Sequence, residues 1–297
     1  MMLDREKTVQ QKRCRFYNFV RVEYYRKSDK IVLLPCCTLT PKFKLEPFVW
    51  EPEYFINNVN ECLEIYKNKN MSVLDRFYNG RCAYCTYNDK FNRICINYEG
   101  NYELEKVENS ILKSCNLHCI MCSARDEYNE KEVYLYNRLY EELDKKYQIN
   151  TTAHGETFLY KKQLYDVVLP KFPKINILTN GTLINDDDIE KLSKYKDKLE
   201  ISFSFDSDIK EIYEKIRVGA NFEKVYGNLI KLKEAGLLSN VYFVIQELNR
   251  TTCLDTMKRL EKEGIITRFI IKDGNSLENL DIFSEKEKQI IFETENF

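Results

Sequence analysis

The sequence is poor in the two residues that most often interrupt regular backbone, with 9 glycines and 6 prolines among 297 residues. Each glycine is therefore expected at a position where the backbone requires it. An excess of either charge is also missing, because 46 basic and 47 acidic residues leave a net charge of −1. That balance gives no strongly basic surface, so we expect neither a nucleic acid nor a membrane surface as a partner.

Long apolar segments are missing as well. No apolar run approaches the roughly 20 residues needed to span a bilayer. The first residues, MMLDREKTVQQKRCRF, are charged and lack the apolar segment of a signal peptide. We therefore expect a cytoplasmic protein whose 11 cysteines stay reduced and serve as metal ligands or catalytic groups.

From Val107 onward the sequence alternates between predicted strands and helices. The predicted strands are 107–114, 149–155, 175–181, 199–206, 240–247 and 266–273. The predicted helices are 132–147, 185–195, 221–236 and 253–264, with Gly236 and Gly264 as C-terminal caps. This order predicts an α/β sheet with parallel crossovers, either doubly wound or curved into a partial barrel. In both arrangements ligands bind at the C-terminal ends of the strands.

The first 105 residues have a different pattern. Segments 19–25 and 30–37 predict a hairpin around Ser28 and Asp29, and 55–70 predicts a helix with Cys62 on its buried face. No long flexible linker separates this part from the strand and helix repeats, so we expect the two parts to pack together.

Three cysteines, Cys115, Cys119 and Cys122, follow the first strand of the repeat series within eight residues. A structural zinc site needs four ligands. His118 adjoins Cys119, which is a poor position for binding the same tetrahedral ion. Three thiolates better suit a cubane iron–sulfur cluster, in which each holds one iron and the fourth iron stays open to a small molecule.

With this spacing the sequence resembles the radical S-adenosylmethionine (SAM) superfamily, whose signature C-x3-C-x2-C follows the first strand of a partial (β/α)6 barrel. The resemblance covers residues 107–275 in strand-by-strand order. It implies a TIM-like partial barrel at 106–297, preceded by a small cysteine-rich α+β module at 1–105. It also implies that a 4Fe–4S cluster on the three cysteines reductively cleaves SAM to a 5′-deoxyadenosyl radical, which abstracts hydrogen from the substrate. The implied electron donor is a flavodoxin or ferredoxin.

The same resemblance implies SAM contacts at the ends of successive strands. Gly155 and Glu156 stand where the family has a G-G-E-like turn that binds the SAM amino group, and His154 replaces the first glycine. The other implied contacts are Thr179 and Asn180 lining the site, Ser202 and Ser204 toward the cluster or ribose, Arg217 at the SAM carboxylate, and Met121 and Gln246 near adenine.

The N-terminal cysteines resemble the auxiliary-cluster modules called SPASM or twitch domains, which usually follow the barrel rather than precede it. The resemblance implies one auxiliary 4Fe–4S cluster, with Cys14, Cys36, Cys82 and Cys85 as its ligands. Cys37 competes with Cys36, because adjacent residues of an extended chain point in opposite directions. The same thiolates also fit a four-cysteine zinc site. Cys95, on an apolar strand, is either a core residue, which we favour, or a spare ligand.

Enzymes with such modules commonly modify ribosomally made peptides, so the resemblance implies oxidation, cross-linking or epimerisation of a peptide or protein. Cys253, after the fifth strand, is a candidate hydrogen donor for epimerisation and also fits a buried helix start. Two alternatives stay open. One is the same radical chemistry on a small metabolite such as a sugar or aminoglycoside, and the other is a non-catalytic, zinc-stabilised α/β binding protein.

Overall fold

A nine-stranded sheet organises the part of the chain that the computed structural model describes, which comprises residues 19–34, 48–78, 103–122, 128–151, 154–270 and 283–288. Its strands are β1 Phe19–Tyr25, β2 Lys30–Leu34, β3 Val49–Trp50, β4 Lys106–Ser110, β5 Gln148–Asn150, β6 Ile175–Thr179, β7 Leu199–Ser204, β8 Leu238–Val244 and β9 Thr267–Ile270. Their spatial order is β3-β2-β1-β4-β5-β6-β7-β8-β9.

Besides a helical turn at 285–288, eight helices accompany these strands between residues 52 and 262 of the described ranges. They are α1 Pro52–Asn57, α2 Val59–Tyr78, α3 Glu130–Glu142, α4 at 161–171, α5 Asp186–Ser193, α6 Lys210–Ile216, α7 Phe222–Glu234 and α8 Cys253–Lys262. Helix α4 consists of Lys161–Gln163, a π-helical turn at Leu164–Val168, and Leu169–Lys171. Short 3-10 turns lie at Thr157–Tyr160 and Lys196–Lys198.

The predicted α/β class and partial barrel are confirmed. Strands β4 to β9 are all parallel and follow one another without a reversal of order. A doubly wound sheet reverses its order at a switch point, so that alternative is excluded. The sheet does not close on itself, because β3 and β9 stand at opposite edges of the strand order.

The strands end earlier than their apolar runs predicted. The run 107–114 is a strand only as far as Ser110, and the run 149–155 only as far as Asn150. The last residues of each run leave the ladder to form loops at the C-terminal edge. The helices predicted at 185–195, 221–236 and 253–264 agree to within two residues at each end, and both predicted caps, Gly236 and Gly264, adopt positive φ. The helix predicted at 132–147 ends five residues early, at Glu142, and the helix predicted at 55–70 is divided between α1 and α2.

The N-terminal hairpin is part of the barrel sheet. Strand β1 pairs antiparallel with β2 and parallel with β4, from Phe19 opposite Lys106 to Glu23 opposite Ser110. The predicted packing of the two parts is therefore observed for the described residues. The division into domains at 105/106 stays a prediction.

The hydrophobic core lies between the sheet and the helices. In β7, Ile201, Phe203 and the following Phe205 are fully buried, and the Phe205 ring packs against Tyr213 of α6 and Phe222 of α7. Side chains alternate along a strand, so Ser202 and Ser204 share the opposite face, which lines the barrel interior. None of the helices in the described ranges is both long and apolar enough to cross a membrane.

Candidate functional site

The loop after β4 carries the three clustered cysteines, and backbone hydrogen bonds fix it against the C-terminal end of α6 and the residues that follow. The His118 amide donates to the Val218 carbonyl and the Ile120 amide donates to the Ile216 carbonyl, both at 3.0 Å. Cys119 is buried, whereas Cys115 and Cys122 are half-buried. The His118 side chain is exposed, consistent with a loop residue rather than a ligand.

Burial disfavours ionisation of two thiols of this loop. It raises the pKa of the Cys115 thiol to about 11 and also raises the pKa of Cys119, although the nearby Arg217 guanidinium acts in the opposite direction. Metal ions bind the thiolate, and their own charge drives the deprotonation. The loop is therefore suited to a metal centre rather than to free nucleophilic thiols.

The turn after β5 packs directly on the cysteine loop. Gly155 adopts φ +80°, and a Cβ atom at this position would lie 2.6 Å from the Ser114 carbonyl oxygen. The Glu156 amide donates to that same oxygen at 3.0 Å. Only glycine allows this approach, which explains the Gly-Glu sequence in physical terms.

Glu156 is a buried carboxylate held by three donors. Its Oε1 accepts from the Phe158 amide at 3.0 Å and from the Thr179 hydroxyl at 2.8 Å, and its Oε2 accepts from the Asn180 amide at 2.7 Å. Burial raises its pKa, and the three donors oppose that rise. An ionised carboxylate can accept about four hydrogen bonds, so an acceptor position remains for a cationic group such as an amino group.

The turn after β6 joins Glu156 to the cysteines. The Asn180 side-chain amide donates to Asn116 Oδ1 at 3.1 Å and lies 3.7 Å from Cys115 Sγ. Gly181 adopts φ +74° directly over the Phe203 ring, where a Cβ atom would clash. Thr179, Asn180 and Gly181 therefore connect β6, the Glu156 carboxylate and the cysteine loop.

A buried ion pair occupies the other side of the cysteine loop. Arg217 Nε donates to Asp206 Oδ2 at 2.7 Å, and Arg217 Nη1 lies 3.9 Å from Cys119 Sγ. The Val244 amide donates to the second Asp206 oxygen at 2.8 Å. The loop thus lies between the side-chain amide of Asn180, which follows β6, and the guanidinium of Arg217, which follows α6.

The other predicted SAM contacts lie at the C-terminal edge or on the interior face of the sheet. Ser202 is buried and Ser204 half-buried on β7, Met121 lies in the cysteine loop, and Gln246 follows β8. Gln246 Nε2 and the Tyr213 hydroxyl are buried, and no described residue hydrogen-bonds to them. Buried polar groups are normally hydrogen-bonded. Two buried groups without a hydrogen-bond partner among the described residues therefore favour a polar ligand at this edge.

The residues present fit an iron–sulfur cluster with SAM. Three thiols share one buried loop, a carboxylate and open polar groups lie beside it, and a guanidinium offsets thiolate charge. Within the described ranges, no three His, Cys, Asp or Glu side chains converge as on a single metal ion. A cubane places each thiolate on a different iron, so its ligands do not need to meet at one point.

A family model decides the assignment, because the Radical SAM superfamily model matches residues 79–260, more than half of the chain. The chain belongs to the radical SAM superfamily. Its members bind a 4Fe–4S cluster and SAM, as the resemblance implied.

Individual relatives are more distant. Residues of this chain are 28% identical over 113 positions to the antilisterial bacteriocin subtilosin biosynthesis protein AlbA of Bacillus subtilis, covering 37% of this chain and 25% of that protein. Native anSMEcpe with bound AdoMet matches with a TM-score of 0.44 and 19% identity, over 56% of this chain and 50% of that one. Streptococcus suis SuiB bound to S-adenosylmethionine matches with a TM-score of 0.44 and 14% identity, over 86% and 63%. The chain therefore spans about a quarter of the curated relative and half or more of these two structures.

The predictions for the cysteines outside this loop can be compared with the structure only in part. Cys62 and Cys253 are fully buried in the hydrophobic core, which confirms the core interpretation of Cys62 and agrees with the buried helix start considered for Cys253. The predicted auxiliary ligands and the predicted core cysteine lie outside the described residues: Cys14, Cys36, Cys37, Cys82, Cys85 and Cys95.

Sequence reasoning missed three polar residues of this network. Asn116 donates to the Thr182 hydroxyl at 2.7 Å, Asp206 binds Arg217, and the fully buried Asn249 donates to the carbonyls of Asp206 and Val244. Asp206 ends the predicted strand 199–206, so a charged residue closing an apolar strand was the signal available. Asn116 carried no such signal, because its partner Thr182 is distant in sequence. The bond of Asn249 to the Asp206 carbonyl escaped prediction for the same reason.

Proposed function

We propose that this chain is a radical SAM enzyme that oxidises, cross-links or epimerises a peptide or protein. The observation that carries the radical chemistry is the set of three cysteines on one loop at the carboxyl edge of the parallel sheet, enclosed by Glu156, Asn180 and Arg217. The peptide substrate is supported by the relative whose name assigns it to the biosynthesis of the bacteriocin subtilosin.

The bound cluster supplies the electron that breaks a carbon–sulfur bond of SAM. The protein's own residues hold and orient the reactants. Glu156 offers an acceptor to the amino group of SAM, and its three donors keep the carboxylate in one orientation. Ser202 and Ser204 offer hydroxyls from the interior face of β7, and Gln246 Nε2 offers a buried donor beyond β8.

The N-terminal cysteines add an auxiliary 4Fe–4S cluster to this proposal. Four protein thiolates on it would favour electron relay, so that the net reaction on the substrate is an oxidation. Iron and sulfide analysis of anaerobically purified protein tests this part. Two clusters give about eight irons per chain, whereas four irons with one zinc would support a zinc site in the N-terminal region.

The radical chemistry is tested by the products of SAM. Protein reconstituted under anaerobic conditions and reduced with dithionite is expected to release 5′-deoxyadenosine from SAM. Replacing Cys115, Cys119 and Cys122 by alanine should abolish this release and remove the iron of that cluster. The Cys62→Ala variant is the matched control, because Cys62 is a buried core thiol and should leave both unchanged. Release that survives the triple replacement would refute the assignment.

The substrate class is tested separately. Short peptides encoded beside the gene are incubated with the reduced enzyme and SAM, and their masses are measured. A loss of two hydrogens indicates oxidation or cross-linking, and incorporation of deuterium from heavy water indicates epimerisation. Turnover of a sugar or aminoglycoside, with no change in any peptide, would contradict the peptide proposal and leave the radical chemistry intact.

A further inference from the structure

Arg217 and Asn180 direct polar hydrogens at two different cysteine sulfurs. Arg217 Nη1 lies 3.9 Å from Cys119 Sγ, and Asn180 Nδ2 lies 3.7 Å from Cys115 Sγ. Both separations are hydrogen-bond distances for a sulfur acceptor. The two donors come from separate elements, since Asn180 follows β6 and Arg217 follows α6.

Both donors are held in place by partners of their own. Arg217 is 7% exposed, and its Nε is bound by Asp206, whose side chain is fully buried. The Asn180 Oδ1 atom accepts from the Thr182 amide at 3.0 Å and from the Thr182 hydroxyl at 2.6 Å, which turns its NH2 group toward the cysteine loop. The orientation of both groups is therefore fixed before a cluster binds.

We propose that Arg217 and Asn180 are positioning residues that set the reduction potential of the cluster through hydrogen bonds to Cys119 and Cys115. Reduction adds one negative charge to the cluster and its thiolates. Hydrogen bonds to the sulfurs and a nearby positive charge stabilise the reduced state more than the oxidised one and raise the potential. Asp206 acts in the opposite direction, because its carboxylate offsets part of the guanidinium charge.

This inference assigns Arg217 a function that differs from the predicted contact with the SAM carboxylate. A residue that acts on the thiolates changes the potential of the cluster in the absence of SAM. A residue that only binds the carboxylate changes the affinity for SAM and leaves that potential unchanged. The inference depends on membership of the superfamily and not on the identity of the substrate.

The test is a redox titration of the reconstituted protein without SAM, followed by electron paramagnetic resonance. The signal that changes on later addition of SAM identifies the cluster of the cysteine loop. In Arg217→Gln we expect the equilibrium constant for reduction to fall about tenfold, which is about 59 mV for one electron. Arg217→Lys keeps the charge and should show a smaller decrease.

Two further variants keep the proposal testable if Arg217→Gln does not fold or does not bind a cluster. Asn180→Ser removes the donor to Cys115 and should lower the potential, whereas Asp206→Asn removes a negative charge and should raise it. The matched control is Arg259→Gln, because Arg259 of α8 forms a partly exposed ion pair with Asp208, and its loss should leave the potential unchanged.

The outcomes separate the alternatives. Shifts of opposite sign in Asn180→Ser and Asp206→Asn, each with full iron content, support the proposal. Wild-type potentials in loaded Asn180→Ser and Asp206→Asn overturn it. A wild-type potential in Arg217→Gln together with weaker SAM binding assigns that residue to the SAM carboxylate and overturns its proposed action on Cys119.

Discussion

At the scale of single residues, close backbone contacts hold the site together. The Gly155 turn brings the Glu156 amide onto the Ser114 carbonyl, one residue before Cys115. The same turn directs the Glu156 carboxylate at donors from Thr179 and Asn180. The position of the cysteine loop therefore depends on a residue that has no side chain.

Replacing Gly155 by alanine should destabilise the protein and impair cluster loading. The new Cβ atom meets the Ser114 backbone at 2.6 Å and the backbone φ is +80°, so strain and overpacking together cost about 2–4 kcal/mol. Urea denaturation and iron analysis measure the two effects. Gly264→Ala is the matched control, because Gly264 has φ +77° with no atom within 4 Å of the added Cβ, and it should cost about 1–2 kcal/mol. Equal losses in both variants would contradict the role of the Ser114 contact.

Cys253 should be inert in the folded protein. It is fully buried, and burial raises the pKa of its thiol to about 12, so at pH 8 only about one molecule in ten thousand carries the reactive thiolate. Alkylation by iodoacetamide followed by mass spectrometry should modify Cys253 only in urea-unfolded protein. Rapid modification of native Cys253 would show that it reaches the barrel interior, as a hydrogen donor must.

At the scale of elements, the sequence predicted most of the helices and the interior strands, and it placed the cysteines at the correct edge. Capping residues and hydrophobic periodicity are local signals, and the helix predicted at 185–195 begins after Asn185, whose side chain forms a capping box with Asp188. The strand ends and the helices α4 and α6 were not predicted, because tertiary contacts determine them. The contacts of Asp206 with Arg217 and of Asn180 with Asn116 escaped prediction for the same reason.

The start of α5 offers a test of how one buried cap stabilises this edge of the barrel. Asp188 is 1% exposed and accepts from Lys161 Nζ, the Tyr165 hydroxyl at 2.8 Å and the Asn185 amide at 2.9 Å. Asp188→Asn should cost about 2–3 kcal/mol in urea denaturation, because it removes a charged acceptor from a buried network.

Asp187→Asn is the control for that change. Asp187 lies in the same first turn, and its exposed ion pair with Lys191 should contribute less than about 0.5 kcal/mol. Similar losses of unfolding free energy in the two variants would contradict this explanation. They would indicate that the interaction of a first-turn carboxylate with the helix dipole, rather than the buried contacts with Lys161 and Tyr165, accounts for the contribution of Asp188.

At the scale of the whole molecule, the hairpin and the barrel share one sheet. Strand β1 lies between β2 and β4, and its outer face joins the common hydrophobic core through Val20 and Val22. Arg26 Nη2 also donates to Glu132 of α3 at 2.9 Å. These contacts predict that the hairpin unfolds together with the barrel, even if the cysteines before residue 105 form a separate metal module.

Hydrogen exchange of the intact chain tests this cooperativity. Amides of β1 should exchange as slowly as those of β4, since strands of one core open together in global unfolding. Val22→Ala, at a fully buried position, should cost about 1–3 kcal/mol and speed exchange in β1 and in β4 to β8 alike. Val32→Ala on β2, where the side chain is only half-buried, should have a smaller effect on both sets. If Val22→Ala accelerates exchange in the hairpin alone, β1 belongs to an independently folding N-terminal module, and the shared sheet does not couple it to the barrel.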